Sequence, residues 1–518
     1  MSSKFVTQLG LAIVALALCT VEANAQATAE MHAARAYQAA LAAGAPALRT
    51  FLDQFPKGAD LHVHLDGAVY AETFIRNAAE DGLCIDPAAL KFDPSPCNAP
   101  LVPASALAGV LTHSQQQLYD RLVDAFSMRN FVPTPATSGH DQFFGSFGRF
   151  AGLSRSHEGE WVDEIAARAA AQNQQYLEVM ETPPFVHAAT LAREHPINLD
   201  FAAYRQVLLS QGLAEEAQTD LQAARVAEAK RREIEFCGTA RATPACAVTV
   251  RYLYQVFRGR SPEQVFAQTL LGFETVQAAM AAHDDTWSGI NLVEPEDGFV
   301  AMRDYSLHMR MLAYLHSAYP TVHISLHAGE LALGLVPPEG LRSHIAQAVQ
   351  IAHAERIGHG VDVAYEDDAR DLLEDMAQNH VMVEINLTSN EGILGIKGGA
   401  HPFQLYRAAH VPVALSTDDE GVSRTDLTHE YVRAALDYHL NYSDLKQLAR
   451  TGMEHNFLPG QSLWAAADAF TVPVSACRGQ VLGLAAPSPP CKAFLDANQK
   501  AAAQWELELR LRLFEARF

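Results

Sequence analysis

Basic residues are scarce in this chain relative to acidic ones. Its 518 residues include 38 lysines and arginines against 60 aspartates and glutamates, which gives a formal net charge of −22. A protein of this charge repels nucleic acids and anionic membranes at long range, so neither is expected as a partner. A small neutral or cationic substrate fits this charge better.

Long apolar runs are also missing from most of the chain. The apolar stretch 9–19 follows Lys4 and is shorter than the ~20 residues that span a bilayer. It is followed by Ala23-Asn-Ala25, a small-x-small pattern typical of a signal-peptidase site. We expect residues 1–25 to be a cleaved signal peptide and the mature protein to be secreted or periplasmic, with no membrane attachment. An uncleaved membrane anchor is the alternative.

Cysteine is sparse, and no CxxC motif occurs, so a cysteine-ligated metal site is not expected. Of seven cysteines, Cys19 falls in the predicted signal peptide, which leaves an even number for an oxidising compartment. These lie in three close pairs, each around a loop that contains proline or glycine. We therefore predict local disulfides that act as loop staples: Cys84–Cys97, Cys237–Cys246 and Cys477–Cys491.

A hydrophobic content of 49% is ample for a full core. Short apolar runs with strand character alternate with longer helical stretches, at 59–63, 175–180, 248–256, 289–293, 323–326, 356–359, 381–385 and 413–415. Eight strands that alternate with helices are typical of an α/β fold of the (β/α)₈ TIM-barrel type. We predict that barrel over residues 57–475.

Several segments depart from a minimal barrel. Residues 26–56 have apolar positions at helical spacing and predict a helical N-terminal extension, while 476–518 form a C-terminal extension. Insertions are expected near 84–150 and 229–247, both bearing disulfides. In the first, the aromatics Phe143, Phe144, Phe147 and Phe150 are interpreted as core rather than pocket residues. The apolar residues of 505–513 alternate with period two, as in a strand, but good helix formers there favour a helix.

Histidines and carboxylates follow the ends of several predicted strands. His62 and His64 lie two residues apart on the first strand, so both rings face one side and can reach one ion. An HxH pair alone is weak evidence, but His327 and Asp418 end two later strands at the same barrel mouth. Three imidazoles and one carboxylate suit Zn²⁺ and leave a position for water.

Three further polar residues surround the predicted metal site. Glu330 follows His327 in a glycine-containing turn and is the candidate proton donor to a substrate ring nitrogen. His359 is the candidate acceptor for the proton of the attacking water. Asp419 neighbours Asp418 and is expected to face a hydrogen-bond donor of the substrate. For each, the alternative is a supporting hydrogen-bonding role.

The segments HVHLDG, SLHAGE, RIGHG and LSTDD together resemble the adenosine deaminases of the amidohydrolase superfamily. The resemblance covers roughly residues 57–464. It implies one zinc ion per chain, held by His62, His64, His327 and Asp418. It also implies that Glu330 is the proton donor, His359 the base, Asp419 a further catalytic and substrate-binding residue, and Asp66 a contact of the ribose hydroxyls.

Features outside the barrel resemble the secreted, growth-factor-like branch of that family. They include the signal peptide, the N-terminal helical extension, and the segments Phe126-Ser-Met-Arg129 and His455-Asn-Phe-Leu-Pro459. The resemblance also suggests a homodimer. One departure is Glu294, which stands where the family has a glycine whose backbone contacts the purine. We retain Glu294 as a substrate-binding candidate.

Related chemistries fit less well. Cytidine-type deaminases combine HxE with PCxxC, and His353-Ala-Glu355 has no such partner. Binuclear amidohydrolases need a lysine on the fourth strand, and residues 289–293 contain none. In an AMP deaminase, Asp66 would repel the phosphate. The sequence thus predicts zinc-dependent deamination of adenosine and 2′-deoxyadenosine. The alternatives are another purine nucleoside or aminated heterocycle, or a secreted growth-factor-like binding protein.

Overall fold

Eight parallel strands form the central sheet of the computed structural model, which describes residues 26–197 and 199–518. The predicted signal peptide, residues 1–25, lies outside the described residues. The barrel strands are β1 (Gly58–His64), β5 (Gln174–Glu181), β6 (Thr249–Phe257), β7 (Trp287–Val293), β8 (His323–Ala328), β9 (Arg356–His359), β10 (Met382–Ile385) and β11 (Val413–Leu415). Each predicted strand is present, within two residues at either end.

The strands follow one another around the sheet in chain order. Neighbours from β5 to β11 pair in parallel. The sheet closes where Val63 of β1 forms a parallel bridge with Asp418, which follows β11. The backbone N–H of Asp418 donates to the carbonyl of His62 at 2.8 Å. The predicted (β/α)₈ barrel is therefore confirmed.

Helices separate these strands along the chain. As the structure has them, they are α1 (26–43), α2 (Ala45–Gln54), α3 (Leu65–Ala68), α4 (Ala71–Glu80), α5 (His113–Ala125), α6 (Gly139–Phe150), α7 (Glu158–Ala171), α8 (Val186–Glu194), α9 (Phe201–Ser210), α10 (Leu213–Ile234), α11 (Pro262–Ala281), α12 (Phe299–Ala318), α13 (His344–Gln350), α14 (Ala369–Gln378), α15 (Leu387–Leu394), α16 (Phe403–Ala408), α17 (Glu420–Ser423), α18 (Leu427–Asp437), α19 (Tyr442–Glu454), α20 (Pro489–Ala497) and α21 (Gln499–Glu515). Helix α11 packs on β6 and β7, and α13 packs on β8 and β9. Such cover buries parallel strands on both faces.

The first insertion carries a small antiparallel sheet and two helices. Its strands are β2 (Cys84–Asp86), β3 (Lys91–Asp93) and β4 (Val102–Pro103), with β2 in the middle. Helix α6 begins with a capping box, in which the Ser138 hydroxyl accepts the N–H of Asp141 and the Asp141 carboxylate accepts the N–H of Ser138. This cap sets where α6 starts and hence which aromatic residues of the helix lie along one face.

The chain forms two compact units. The larger comprises residues 60–171 and 176–430 and contains nearly all of the barrel. The other comprises the described part of 1–59 together with 172–175 and 431–518. Aromatic rings build its interior, with Phe51 and Phe55 each packed edge-on against both Tyr442 and Phe514. The domain boundaries predicted from the sequence remain predictions.

The C-terminal segment is helical, as expected. In α21 the buried residues are Gln504, Leu507, Glu508, Leu511, Phe514 and Glu515, together with Ala501 and Trp505. They recur at three- and four-residue intervals, which is the spacing of one helix face. The period-two alternation is therefore misleading. Leu513, which fits that alternation, lies off the buried helix face and is 56% exposed.

All three predicted disulfides are present: Cys84–Cys97, Cys237–Cys246 and Cys477–Cys491. The third lies in a buried cluster with Trp464, Leu495 and Trp505. As for membrane segments, no helix within residues 26–197 and 199–518 combines the length and the apolar character needed to cross a bilayer.

Removing the buried disulfide should destabilise the protein. Replacing both Cys477 and Cys491 by serine opens a loop of 14 residues and introduces two hydroxyls into an apolar cluster. We expect the free energy of unfolding to fall by about 2–4 kcal/mol, measured by denaturant titration. The matched control is the Cys237/Cys246 pair, which closes a shorter loop of 9 residues. Equal losses for the two pairs would contradict a special role of the buried cluster.

Candidate active site

Four predicted metal ligands converge at the C-terminal edge of the barrel. His62 and His64 lie at the end of β1, His327 lies in β8 and Asp418 follows β11. The Nε2 atoms of His62 and His64 lie 3.4 Å and 3.2 Å from Oδ1 of Asp418. His327 is drawn in through its Nε2, which lies 3.1 Å from Nε2 of His64. The structure thus brings together all four residues singled out from the sequence.

Each of the three imidazoles is held through its other nitrogen. Nδ1 of His62 contacts the Glu384 carboxylate at 2.6 Å, Nδ1 of His64 contacts the Gln255 amide oxygen at 2.8 Å, and Nδ1 of His327 contacts the Asn291 amide oxygen at 2.8 Å. The same Asn291 oxygen accepts the backbone N–H of His327. Because these oxygens are acceptors, each Nδ1 carries the proton and each Nε2 presents a lone pair to the centre.

This donor set fits a bound cation. The Nε2 lone pairs of His64 and His327 face each other at 3.1 Å. Two lone pairs repel each other unless a positive charge lies beside them. Between Asp418 and Glu384 the pKa of His62 is raised to about 10, even though burial alone lowers it. A metal ion bound to Nε2 of His62 would replace this added proton and would balance the charge of the same two carboxylates. Nitrogen and oxygen donors of this kind suit a divalent transition metal.

His359 lies beside this cluster, at the last position of β9. Its ring stands 4.9 Å from that of His62, and its Nδ1 lies 2.9 Å from the side-chain amide of Asn390. Burial lowers its pKa to about 3, so the ring is neutral at neutral pH. Among the described residues, its Nε2 has no hydrogen-bond partner.

Glu330 opens onto the cavity from the turn after β8. Its pKa is raised well above the usual value, first by burial and then by the nearby charges of Asp418 and Glu296. Such a shift favours the protonated form, as a general acid requires. Its Oε1 lies 3.6 Å from Nδ1 of His359, so the proposed acid and base are neighbours.

One carboxylate oxygen of Asp419 lies within 4.8 Å of the donor atoms of His64 and Asp418, so this side chain borders the candidate metal ligands. Its Oδ1 is buried and accepts no hydrogen bond within the part of the chain that the structure describes. Burial and the neighbouring Asp418 raise its pKa well above the usual value. A Cβ at Gly67 would lie 1.4 Å from that oxygen, so only glycine leaves room for the carboxylate. The glycine of the HVHLDG segment is therefore part of the site.

A cavity of about 510 Å³ connects these groups. Its lining includes Asp66, whose side chain is exposed to the cavity, as well as Glu330, His359 and both aspartates of the final pair. The interpretation of the α6 aromatics as core was wrong in part. Phe143, Phe144 and Phe147 line this cavity, because one face of α6 lies across its mouth, and only Phe150 belongs wholly to the core.

Glu294 also lines the cavity, but its carboxylate is occupied. It accepts the backbone N–H of Gly259 at 2.6 Å and pairs with Arg260 at 3.2 Å. Its backbone has φ of 80°, in the left-handed region that glycine adopts more easily. The chain therefore keeps at this position the backbone conformation of a glycine.

Sequence reasoning missed the residues that hold the ligands in place. Glu296 accepts the backbone N–H groups of Gly329 and Glu330, at 3.1 Å and 2.8 Å, and contacts Nδ1 of His344 at 2.6 Å. Glu384 lies within an apolar run, where a lone charge was the available signal. Asn291 and Gln255 also interrupt apolar strands, but such residues occur in many strands without a functional role.

The Glu384 carboxylate should be essential for metal affinity. Glu384→Gln keeps the shape but replaces a charged acceptor by an amide, which weakens its hold on the His62 N–H. Loss of such a supporting contact typically lowers metal affinity by about 10–100-fold. Competition with a chelator for Zn²⁺ or Co²⁺ measures this. The matched control is Glu391→Gln, because Glu391 pairs with Lys397 and is more exposed than Glu384. Equal metal affinities in the two variants would refute the assignment.

Sequence comparison identifies relatives of this chain. The family profile described as adenosine deaminase matches residues 160–469, more than half of the chain. An adenosine deaminase of Escherichia coli (strain SMS-3-5 / SECEC) is 34% identical over 184 residues, which cover 35% of this chain and 50% of that protein. The chain therefore spans about half the length of the curated relatives it matches.

A solved structure shows the same fold. The adenine deaminase from Arthrobacter aurescens matches with a TM-score of 0.50 at 17% identity, covering 78% of this chain and 94% of the other. Together with the profile match across more than half of the sequence, the comparisons establish that this chain belongs to the adenosine deaminase family.

Proposed function

We propose that the protein catalyses the zinc-dependent hydrolytic deamination of adenosine and 2′-deoxyadenosine to inosine and ammonia. The observation that carries this proposal is the convergence of His62, His64, His327 and Asp418 beside a cavity that is also lined by Glu330, a carboxyl group whose pKa is raised. Family membership supports the same reaction class.

Zinc is the metal that we assign to the site, one ion per chain, because histidine nitrogens and a single carboxylate are the ligands it favours. A zinc ion held there supplies the Lewis acidity that activates water at neutral pH. The protein contributes the orientation of the ligands through Glu384, Gln255 and Asn291.

The acid and base are assigned from their surroundings. Glu330 donates its proton to N1 of the purine, which makes C6 more electrophilic. His359 takes the proton of the attacking water, whose oxygen forms the new bond to C6. His359 passes this proton to N6, the C6–N6 bond breaks and ammonia leaves, while the remaining hydroxyl proton returns to the Glu330 carboxylate as the C6=O bond forms. The free Oδ1 of Asp419 accepts a hydrogen bond from the substrate in this scheme.

Binding of the nucleoside is assigned to the cavity walls. Asp66 accepts a hydrogen bond from a ribose hydroxyl, and Phe144 and Phe147 cover the bound molecule with apolar surface. At Glu294 the backbone contacts the purine, since the carboxylate is engaged with Gly259 and Arg260. Arg260 is thereby paired, and the Asp66 carboxylate disfavours a phosphate, so a nucleoside fits better than a nucleotide.

Export of the protein is part of the proposal. Three disulfides support an oxidising compartment such as the periplasm or the extracellular space. Membership of the secreted growth-factor-like branch and assembly into a homodimer stay predictions from the sequence.

The direct test is the absorbance change when purified protein is added to adenosine or 2′-deoxyadenosine. Adenine, AMP, guanosine and cytidine serve as controls. We expect kcat/KM to be highest for the two adenine nucleosides. A preference for free adenine or for AMP would overturn the substrate assignment while leaving the reaction class intact.

The acid can be separated from the metal site by one substitution. Glu330→Gln leaves the four ligands untouched and removes the proton donor, so kcat should fall by about 10²-fold or more at unchanged zinc content. Glu339→Gln, at an exposed position nine residues further along the chain, is the matched control. Turnover of adenosine by Glu330→Gln at the rate of the control would remove Glu330 from the mechanism.

A further inference from the structure

A second cavity lies apart from the active site. It has a volume of about 870 Å³ and shares no lining residue with the active-site cavity. Its walls come from α7, from one face of α10 and from the strands β5 to β7. Along α10 the lining is mainly small side chains, such as Ala223, Ala224 and Ala227, which leave the space open. Neither the reaction nor the metal site uses this space.

Three carboxylates, one guanidinium and the ammonium group of Lys230 line this cavity, and Lys230 pairs with Glu233 outside it. Glu158, Glu181 and Asp220 each have at least nine-tenths of their surface buried. Arg155 pairs with Glu158 at 2.6 Å and with Glu181, and it donates to the carbonyl of Thr182 at 2.9 Å. Within the described residues, Asp220 accepts a hydrogen bond only from the hydroxyl of Tyr254, at 2.7 Å. When all three acids are ionised, the group therefore carries excess negative charge.

Buried carboxylates without sufficient positive charge are costly to ionise. Accordingly, burial raises the pKa of Asp220 to about 7, with a further contribution from the charge of Glu216. The pKa of Glu181 is raised by burial and by the charge of Glu158. A cation in the cavity removes this penalty, whereas an anion increases it.

A second observation is independent of the acids. Tyr252 and Trp287 line the same cavity, and each is only 2% exposed. Within the described residues, neither the hydroxyl of Tyr252 nor the indole N–H of Trp287 has a hydrogen-bond partner. Buried polar groups of this kind are rarely left unsatisfied. The Tyr252 hydroxyl can accept a hydrogen bond from a ligand N–H, and the two rings, 5.5 Å apart, supply aromatic surface of the kind to which organic cations bind.

We propose that this cavity is a binding site for an organic ammonium ion with an apolar body. The ammonium group pairs with Asp220 and Glu158, and the apolar body lies against the alanine face of α10 and the rings of Tyr252 and Trp287. A bare metal ion is the weaker alternative. Among the described residues, the groups whose donor atoms lie close enough to hold a metal include none of these carboxylates.

The test uses three probes of similar shape and different charge: 2-phenylethylammonium, 2-phenylethanol and phenylacetate. Binding to the full-length, metal-loaded protein is measured by calorimetry. We expect the ammonium probe to bind at least about tenfold more tightly than the alcohol, because a charged hydrogen bond is worth that much or more. Phenylacetate should not bind. Equal affinities for the ammonium ion and the alcohol would overturn the proposal.

Two variants locate the site. Asp220→Asn removes the least-compensated carboxylate and should weaken binding of 2-phenylethylammonium about tenfold or more. Ala223→Trp fills the space from the α10 side and should abolish binding even if Asp220→Asn proves unstable. The matched control is Glu215→Gln, at an exposed acid of the same helix that does not line the cavity. Wild-type affinity in Asp220→Asn or Ala223→Trp would place the probe elsewhere and refute the assignment.

Discussion

The buried carboxylate of Glu384 is the contact on which the metal site depends most. It takes the Nδ1–H of His62 at 2.6 Å, the Nε–H of Arg356 at 2.7 Å and the hydroxyl of Ser325 at 2.9 Å. Arg356 in turn pairs with Glu178 across the barrel interior at 2.6 Å. Because this chain of charges is fully buried, the loss of any member leaves an uncompensated charge. The network therefore fixes the tautomer of His62 and the direction of its lone pair.

The residue that closes the barrel, Asp418, also belongs to the candidate metal site. Asp418 bridges β1 through its backbone and supplies a ligand through its side chain. The backbone of Asp418 has φ of 61° and that of His359 has φ of 69°. Both lie in the left-handed region, which residues other than glycine rarely adopt. Such strain is tolerated where the surrounding structure over-determines the backbone. Here Asp418 is held to the first strand by two hydrogen bonds: its N–H donates to the carbonyl of His62, and its carbonyl accepts the N–H of His64.

Sequence patterns predicted the strands, and they also predicted that the four candidate ligands lie close together. His62 and His64 end an apolar run, and the other polar residues follow later runs, so chain order alone placed them at one barrel edge. The supporting residues left no such signal. Gln255 and Asn291 differ from ordinary polar strand residues only in what they contact, which depends on strands that are distant in the sequence. The aromatics of α6 failed for the same reason, since their position depends on how the insertion folds back.

The active-site cavity and the second cavity are separate, but some of their lining residues are neighbours in the sequence. Along the chain Leu65 faces the second cavity and Asp66 faces the active site, while Glu181 and Thr182 divide in the same way. Arg155 joins the two sides, because one guanidinium pairs with the Glu181 carboxylate and donates to the Thr182 carbonyl. A guanidinium is planar, with its donors in a fixed geometry, so one side chain can make both contacts at once. Arg155 therefore contacts a residue of each cavity lining, Glu181 of the second cavity and Thr182 of the active-site cavity.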